Sequence, residues 1–380
     1  MLLEFVLIRC ELLAFNLYLC PLKQHTLGKS KAMTVKTSNN GELSPIIFYY
    51  YNMTGTESYQ HLLEDWFRQT GHERPIIFKE WNCYSDLPET DADLVSYDGV
   101  VLSALAAKGF LAPVPDSVSA DDAFPWIHEK SKYRNKTYGL PVMMCSSALI
   151  CRKKDDLHVA NVMEIHEQVA IPMRSMLMYY FIQAFCTNLD MHKSLKVMDH
   201  LVELMGGREY LADSSFADFD GINRFNREDC RYLLGFTESI ANLKKDDYVV
   251  TFANFSEKKT NKRPLFLVDF VSLAKSVRDE KRQDCLDLMK IMTSGEFVYD
   301  VCTLDDKLQY LLPANRSVFP KLAKLDPLYR SLFGLLESRE NGVLRYSNQY
   351  YETFREKRDI LLNFLWDRAG WKPAWKIFDD

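Results

Sequence analysis

Residues 138–154, YGLPVMMCSSALICRKK, place one cysteine, Cys145, between a turn-like Tyr138-Gly139-Leu140-Pro141 and an apolar strand from Ser147 to Cys151. The basic run Arg152-Lys153-Lys154 closes that strand. A cysteine attacks carbon as its thiolate, and a free thiol near pKa ~8.5 supplies little thiolate at neutral pH. Chemistry at Cys145 therefore requires a base beside it. Without one, a lone cysteine is more often a small buried hydrophobe. Glu238, in Gly235-Phe236-Thr237-Glu238-Ser239, is by itself a carboxylate at a helix start, a common stabilising placement. Tyr49 and Tyr51 flank Tyr50 and should share one face of a strand. Their rings can stack on a flat ligand or attract a cation, or can simply be core. Asp98 and Asp269 suit a cationic partner, a helix cap or an ion pair between lobes. The few histidines are unclustered, so a Cys–His dyad has little support.

The chain of 380 residues is long enough for two domains. A net charge of −5 gives no basic footprint, so nucleic acid is not an expected partner. The nine cysteines (10, 20, 83, 145, 151, 186, 230, 285 and 302) contain no CxxC pair, and no histidine stands at ligand spacing to them, so no metal site is expected. Cys83 and Cys151 read as structural. Residues 1–44 are expected to be a leader, disordered or removable, with Met33 an alternative start. The longest uncharged run near the start, Leu12 to Leu22, is too short to span a bilayer. The expectation is a soluble monomer without membrane partners, cytoplasmic slightly favoured over secreted.

These residues need elements to hold them. Ile46 to Tyr51 reads as a strand, followed by a helix on Tyr59, Leu62, Leu63, Trp66 and Phe67. Pro75 to Phe78 and Leu94 to Tyr97 read as further strands, and Val100 to Lys108 as a short helix. Met176 to Phe185 is apolar all round and reads as a buried helix. Strands return at Tyr232–Phe236, Val249–Phe252 and Leu265–Val268, and amphipathic helices fill much of 272–366. Short connections between strands and helices argue for α/β packing.

Tyr138–Lys154 resembles the crossing strand of extracytoplasmic solute-binding proteins, and residues 91–114, DADLVSYDGVVLSALAAKGFLAPV, resemble their strand–helix–turn. The resemblance implies an α/β, two-lobed periplasmic-binding-protein-like (type II) fold with an interlobe cleft. Lobe 1 is expected over 45–143 plus roughly 268–325, and lobe 2 over 144–267 plus roughly 326–380.

A narrower resemblance, to the thiaminase I (thiamine pyridinylase) family, runs from about residue 46 to 340. It is carried by YGLP before Cys145, by GFTES at 235–239, and by EWNCYSDLP (80–88), YDGVVLS (97–103), PLFLVDFVS (264–272), LQYLLPA (308–314) and DPLYRSLF (326–333) in shared order. It implies a thiamine-cleaving transferase with Cys145 as nucleophile and Glu238 as base. It assigns Tyr49, Tyr51, Tyr84, Asp98 and Asp269 to the substrate pocket. Phe219 and Phe236 stand where bacterial members have tyrosine, as does Leu267. The implied partners are thiamine and an organic base or thiol acceptor, with no metal and no organic cofactor. The alternatives are a non-catalytic thiamine or small-cation binding protein and a thiamine-analogue hydrolase.

Overall fold

The structure is a computed structural model that describes residues 43–50, 56–83, 87–155, 159–174, 176–213, 220–244, 248–261, 263–337, 342–343 and 348–370. Tyr51, Tyr84 and Phe219 lie outside the described residues. In chain order the described strands are β1 (Ile46–Tyr50), β2 (Ile76–Glu80), β3 (Leu94–Asp98), β4 (Lys132–Tyr133), β5 (Lys136–Thr137), β6 (Leu140–Cys145) and β7 (Ala148–Arg152). They continue with β8 (Val169–Ala170), β9 (Tyr232–Gly235), β10 (Tyr248–Phe252), β11 (Leu265–Leu273), β12 (Leu312–Pro313) and β13 (Gly342–Val343).

Two large sheets result, beside a two-stranded sheet of β4 and β5. The larger has the order β12-β6-β11-β3-β1-β2, with β13 on β11; the smaller has the order β10-β7-β9-β8. β1 runs parallel to β2 and β3, whereas β11 is antiparallel to β3 and β6. The chain leaves the larger sheet at Cys145 and enters the smaller at Ala148, with only Ser146 and Ser147 between. It returns between Phe252 and Leu265.

Two strands differ from the sequence reading. β11 does not stop at Val268 but continues through Asp269 to Leu273, with every residue buried. A carboxylate ends an apolar run in the sequence, yet here it is carried inside the strand. Leu140 and Pro141 are not a turn but the first residues of β6. Pro141 opposes Phe270 and Met143 opposes Asp269, so Val142 is the extra residue of a bulge. A proline has no N–H for the ladder and is tolerated inside a sheet at such a bulge. The bulge falls beside Asp269, where it re-aims the strand end that carries Cys145.

The helix Thr56–Gln69 buries Tyr59, Leu63 and Phe67, and Met176–Asn188 is buried from Met176 to Phe185. No helix among the described residues is long and apolar enough to cross a membrane. Gly99 follows Asp98 at the end of β3, where a Cβ would lie 2.7 Å from both the Val268 carbonyl oxygen and Phe270 Cε2. Gly99→Ala should therefore destabilise the chain by about 1–3 kcal/mol. Chemical denaturation would read this, and an unchanged midpoint would count against the close approach.

Candidate functional site

Register builds the site. Asp98 stands directly opposite Asp269, Met143 opposite Asp269, and Cys145 opposite Leu267. Opposed residues share a sheet face with Cβ atoms about 5 Å apart, and residues two apart on a strand share it too. Asp98, Asp269, Met143, Leu267 and Cys145 therefore form one patch. It lies at the carboxyl ends of β3 and β6, where open α/β sheets receive their ligands. Asp98 and Asp269 are buried, while Cys145 remains partly exposed.

The smaller sheet supplies the facing group. β9 ends at Gly235 and the chain turns tightly through Thr237–Asn242, with Ser239 N donating to the Phe236 carbonyl at 3.1 Å. A Cβ at Gly235 would lie 2.5 Å from Ser239 Oγ and 3.0 Å from Pro172 Cγ, so a larger residue here would force Ser239 to shift. It presents Glu238, partly exposed, with Thr237 Oγ1 donating to its Oε2 at 3.3 Å. Burial pushes the Glu238 carboxyl up to about 7, against the opposing pull of its own backbone amide and Thr237.

Electrostatics ties the groups together. Burial pushes the Cys145 thiol well above its ordinary value, and the charges of Asp269, Asp98 and Glu238 push it further. Burial, then Asp98 and Glu238, hold Asp269 well above the usual carboxylate range. One thiol thus feels the charges of three carboxylates, two from the larger sheet and one from the turn after the smaller sheet. Such a concentration of acid groups favours a cationic ligand. The described residues hold no group of three or more acidic, histidine or cysteine side chains arranged to bind a metal ion.

Asp98 also caps the turn that follows it, its Oδ1 accepting from Val100 N at 3.0 Å. Phe236, partly exposed, packs edge-on against Tyr179 with centroids 5.5 Å apart. The structure does not bring Tyr49 to the patch. β1 pairs Tyr49 with Val95 and Phe48 with Leu94, which puts Tyr49 on the face away from Asp98. Its hydroxyl is engaged by Lys79 Nζ at 2.9 Å, Glu89 at 2.9 Å and Asp91 at 3.0 Å. Tyr50 has the sheet face of Asp98, but its ring packs on Phe48 and Phe78.

Three thiols join this neighbourhood with no sequence signal to announce them. Cys83 is fully buried; burial raises its pKa, Asp98 and Asp269 raise it further, and the Asp98 backbone amide opposes them. Burial and Asp98 push Cys186 up to about 12, and burial and Glu238 raise Cys302.

A carboxylate raised by burial and by its like neighbours weakens the fold when ionised. The sign follows: the stabilising contribution is full below the unfolded value near ~4 and is lost as pH rises through the folded one. Asp269→Asn should therefore raise thermal stability at neutral pH by about 1–3 kcal/mol, and the gain should shrink in acid. Melting curves at pH 7 and pH 4 would read both, and a loss of stability at pH 7 would contradict the clustering.

No family model matches the chain. It is 24% identical over 349 residues to thiaminase-1 of Paenibacillus thiaminolyticus, covering 79% of this chain and 82% of that protein. The chain resembles thiaminase I. The Clostridium botulinum thiaminase I structure, in complex with thiamin, superposes with a TM-score of 0.72 at 20% identity, covering 84% of this chain and 99% of that one. The Thermus thermophilus maltotriose binding protein superposes with a TM-score of 0.60 at 13% identity, covering 88% and 96%. The fold is thus the two-lobed type II binding-protein fold, which thiaminase I shares with sugar-binding proteins.

Proposed function

We propose that the chain is a thiamine-cleaving transferase of the thiaminase I type. What supports this reading is a partly exposed thiol at the end of β6, on the sheet patch of Asp98 and Asp269, within electrostatic reach of the Glu238 carboxylate on the turn after β9. A pure binder needs no thiol facing a base. Thiamine joins an aminopyrimidine through a methylene to a cationic thiazolium, and the acid cluster of Asp98, Asp269 and Glu238 can supply the negative charge that balances that cation.

Glu238 takes the thiol proton as Cys145 Sγ bonds to C6 of the pyrimidine. The bond from the methylene to the thiazolium nitrogen then breaks, and its electron pair leaves with the neutral thiazole. An organic nucleophile bonds to the methylene, the C–S bond breaks toward sulfur, and the proton on Glu238 returns to Cys145. Phe236 forms an apolar wall beside Glu238. The raised thiol pKa matters here: the carboxylates disfavour a standing thiolate, so proton transfer accompanies attack rather than preceding it.

Mass analysis of products from thiamine, with and without pyridine, tests the proposal. The expected result is free thiazole and a pyrimidinylmethyl-pyridinium ion only when pyridine is present. Bound but intact thiamine would favour a binding protein. Equal cleavage by water alone, giving the hydroxymethylpyrimidine, would favour a hydrolase.

A further inference from the structure

Ser146 and Ser147 join the larger sheet to the smaller one, and neither has a part in the reading above. Both are buried, at 1% and 0% exposure. Buried polar groups need partners, and these two residues find theirs on opposite sides of the crossing. Ser146 Oγ donates to the Leu265 carbonyl at 2.8 Å. Leu265 opens β11, the strand whose Leu267 stands opposite Cys145 and whose Asp269 stands opposite Asp98. The printed pairing of β6 with β11 ends at Cys145, and the Ser146 hydroxyl carries the attachment one residue further.

Ser147 is tied to the other side. Its carbonyl accepts from Ala253 N at 2.7 Å, which extends by one residue the ladder in which Ala148 opposes Phe252. Its Oγ accepts from Gln183 Nε2 at 2.8 Å, and Gln183 is fully buried on the helix Met176–Asn188. The same helix is bound to β9, with the Tyr180 hydroxyl donating to the Leu234 carbonyl at 2.5 Å. β9 leads into the turn that carries Glu238. The change of sheet therefore falls at the peptide between Ser146 and Ser147. Cys145 and Ser146 are held with Asp98 and Asp269, and Ser147 is held with the sheet that precedes Glu238.

We propose that Ser146 is a positioning residue for the thiol: its bond to Leu265 holds the Cys145 end of β6 on β11, so that Sγ keeps its place beside Asp98 and Asp269 during attack. This rests on the transferase reading. Ser146 exchanges no proton and touches no reacting atom; it acts on Cys145 through the backbone. Attack needs aligned atoms, and a misplacement of about 1 Å can cost about 10²-fold in rate. Without the hydroxyl, the Leu265 carbonyl loses its partner and the chain just after Cys145 is fixed from the side of the smaller sheet.

The test follows the pre-steady-state burst of free thiazole from the full chain at saturating thiamine without added acceptor. The burst rate constant reports attack by Cys145 and loss of thiazole, and it does not depend on how much of a variant folds. Ser146→Ala should slow the burst by about tenfold to 10²-fold, while calorimetry returns a thiamine Kd within about threefold of wild type. Ser146→Thr keeps the donor and should stay within about threefold of the wild-type rate. Ser147→Ala removes an equally buried hydroxyl on the smaller-sheet side and should leave the rate within about twofold. A wild-type burst rate in Ser146→Ala would overturn the inference. Equal slowing in Ser147→Ala or in Ser146→Thr would also overturn it, because loosening or crowding of the crossing would then explain the effect. A weakened Kd that accounts for the Ser146→Ala loss would do the same. A wild type that binds thiamine but releases no thiazole, with or without pyridine, would instead sink the transferase reading.

Discussion

Cys145→Ser should cut thiamine turnover by on the order of 10³-fold or more while thiamine still binds. Serine nearly preserves the volume, so the strand end of β6 and its pairing with Leu267 stay in place. What changes is acidity: an alcohol is a far weaker acid than a thiol, and burial with three neighbouring carboxylates already disfavours an anion at this position. Isothermal calorimetry with the variant should return wild-type thiamine affinity within about threefold, because the carboxylates that balance the cation remain. In the wild type, a thiamine analogue whose adduct cannot turn over should add its pyrimidine mass to the peptide holding Cys145. Adduct mass on Cys83, Cys186 or Cys302, or normal cleavage by the serine variant, would show that another thiol attacks.

Glu238→Gln should lower kcat/KM for thiamine by about 10²–10³ and remove its acid limb. The carboxyl is held at about 7 by burial, and only its ionised form accepts the thiol proton. Wild-type kcat/KM should thus fall as pH drops below about 7. A bound thiazolium favours the carboxylate, so the corresponding limb in kcat should lie at lower pH. Glu238 and Cys145 act as one unit, and the double variant should be little slower than the poorer single one. Persistence of the acid limb in Glu238→Gln would assign it elsewhere in the cluster, with Asp269 the nearest candidate by its raised pKa. Stability has the opposite pH sense: a carboxyl raised by burial contributes fully below ~4.5 and loses that contribution as pH rises through about 7.

Much of the fold was legible in the sequence because its signals are local. The strands at 46–50, 94–98, 232–235 and 248–252 are short apolar runs bounded by polar or glycine punctuation. The buried helix at 176–188 declares itself by having no polar face over its first ten residues. The stretches 138–154 and 91–114 gave the resemblance to solute-binding proteins and hence the two lobes. Punctuation misled where a polar or helix-breaking residue serves the site. Asp269 reads as the end of a strand, but it is buried at 9% exposure because the adjoining strands enclose it. Pro141 reads as a turn, but a bulge accommodates it.

Residue types alone identify the groups with the chemistry: a thiol, a carboxylate on a tight glycine turn, and two further aspartates. Which of them become neighbours is set by strand pairing in the folded chain. Asp98 and Asp269 are 171 positions apart in the chain and become direct neighbours through the antiparallel pairing of β3 and β11. The parallel pairing of β1 with β3 puts Tyr49 on the sheet face away from Asp98, since the alternation of a strand fixes which residues share a face but not which face meets the ligand. That choice depends on which strands flank β1 and on the cations and acids beyond them. The raised pKa values of Cys145, Glu238 and Asp269 are likewise properties of burial and mutual approach in the folded chain.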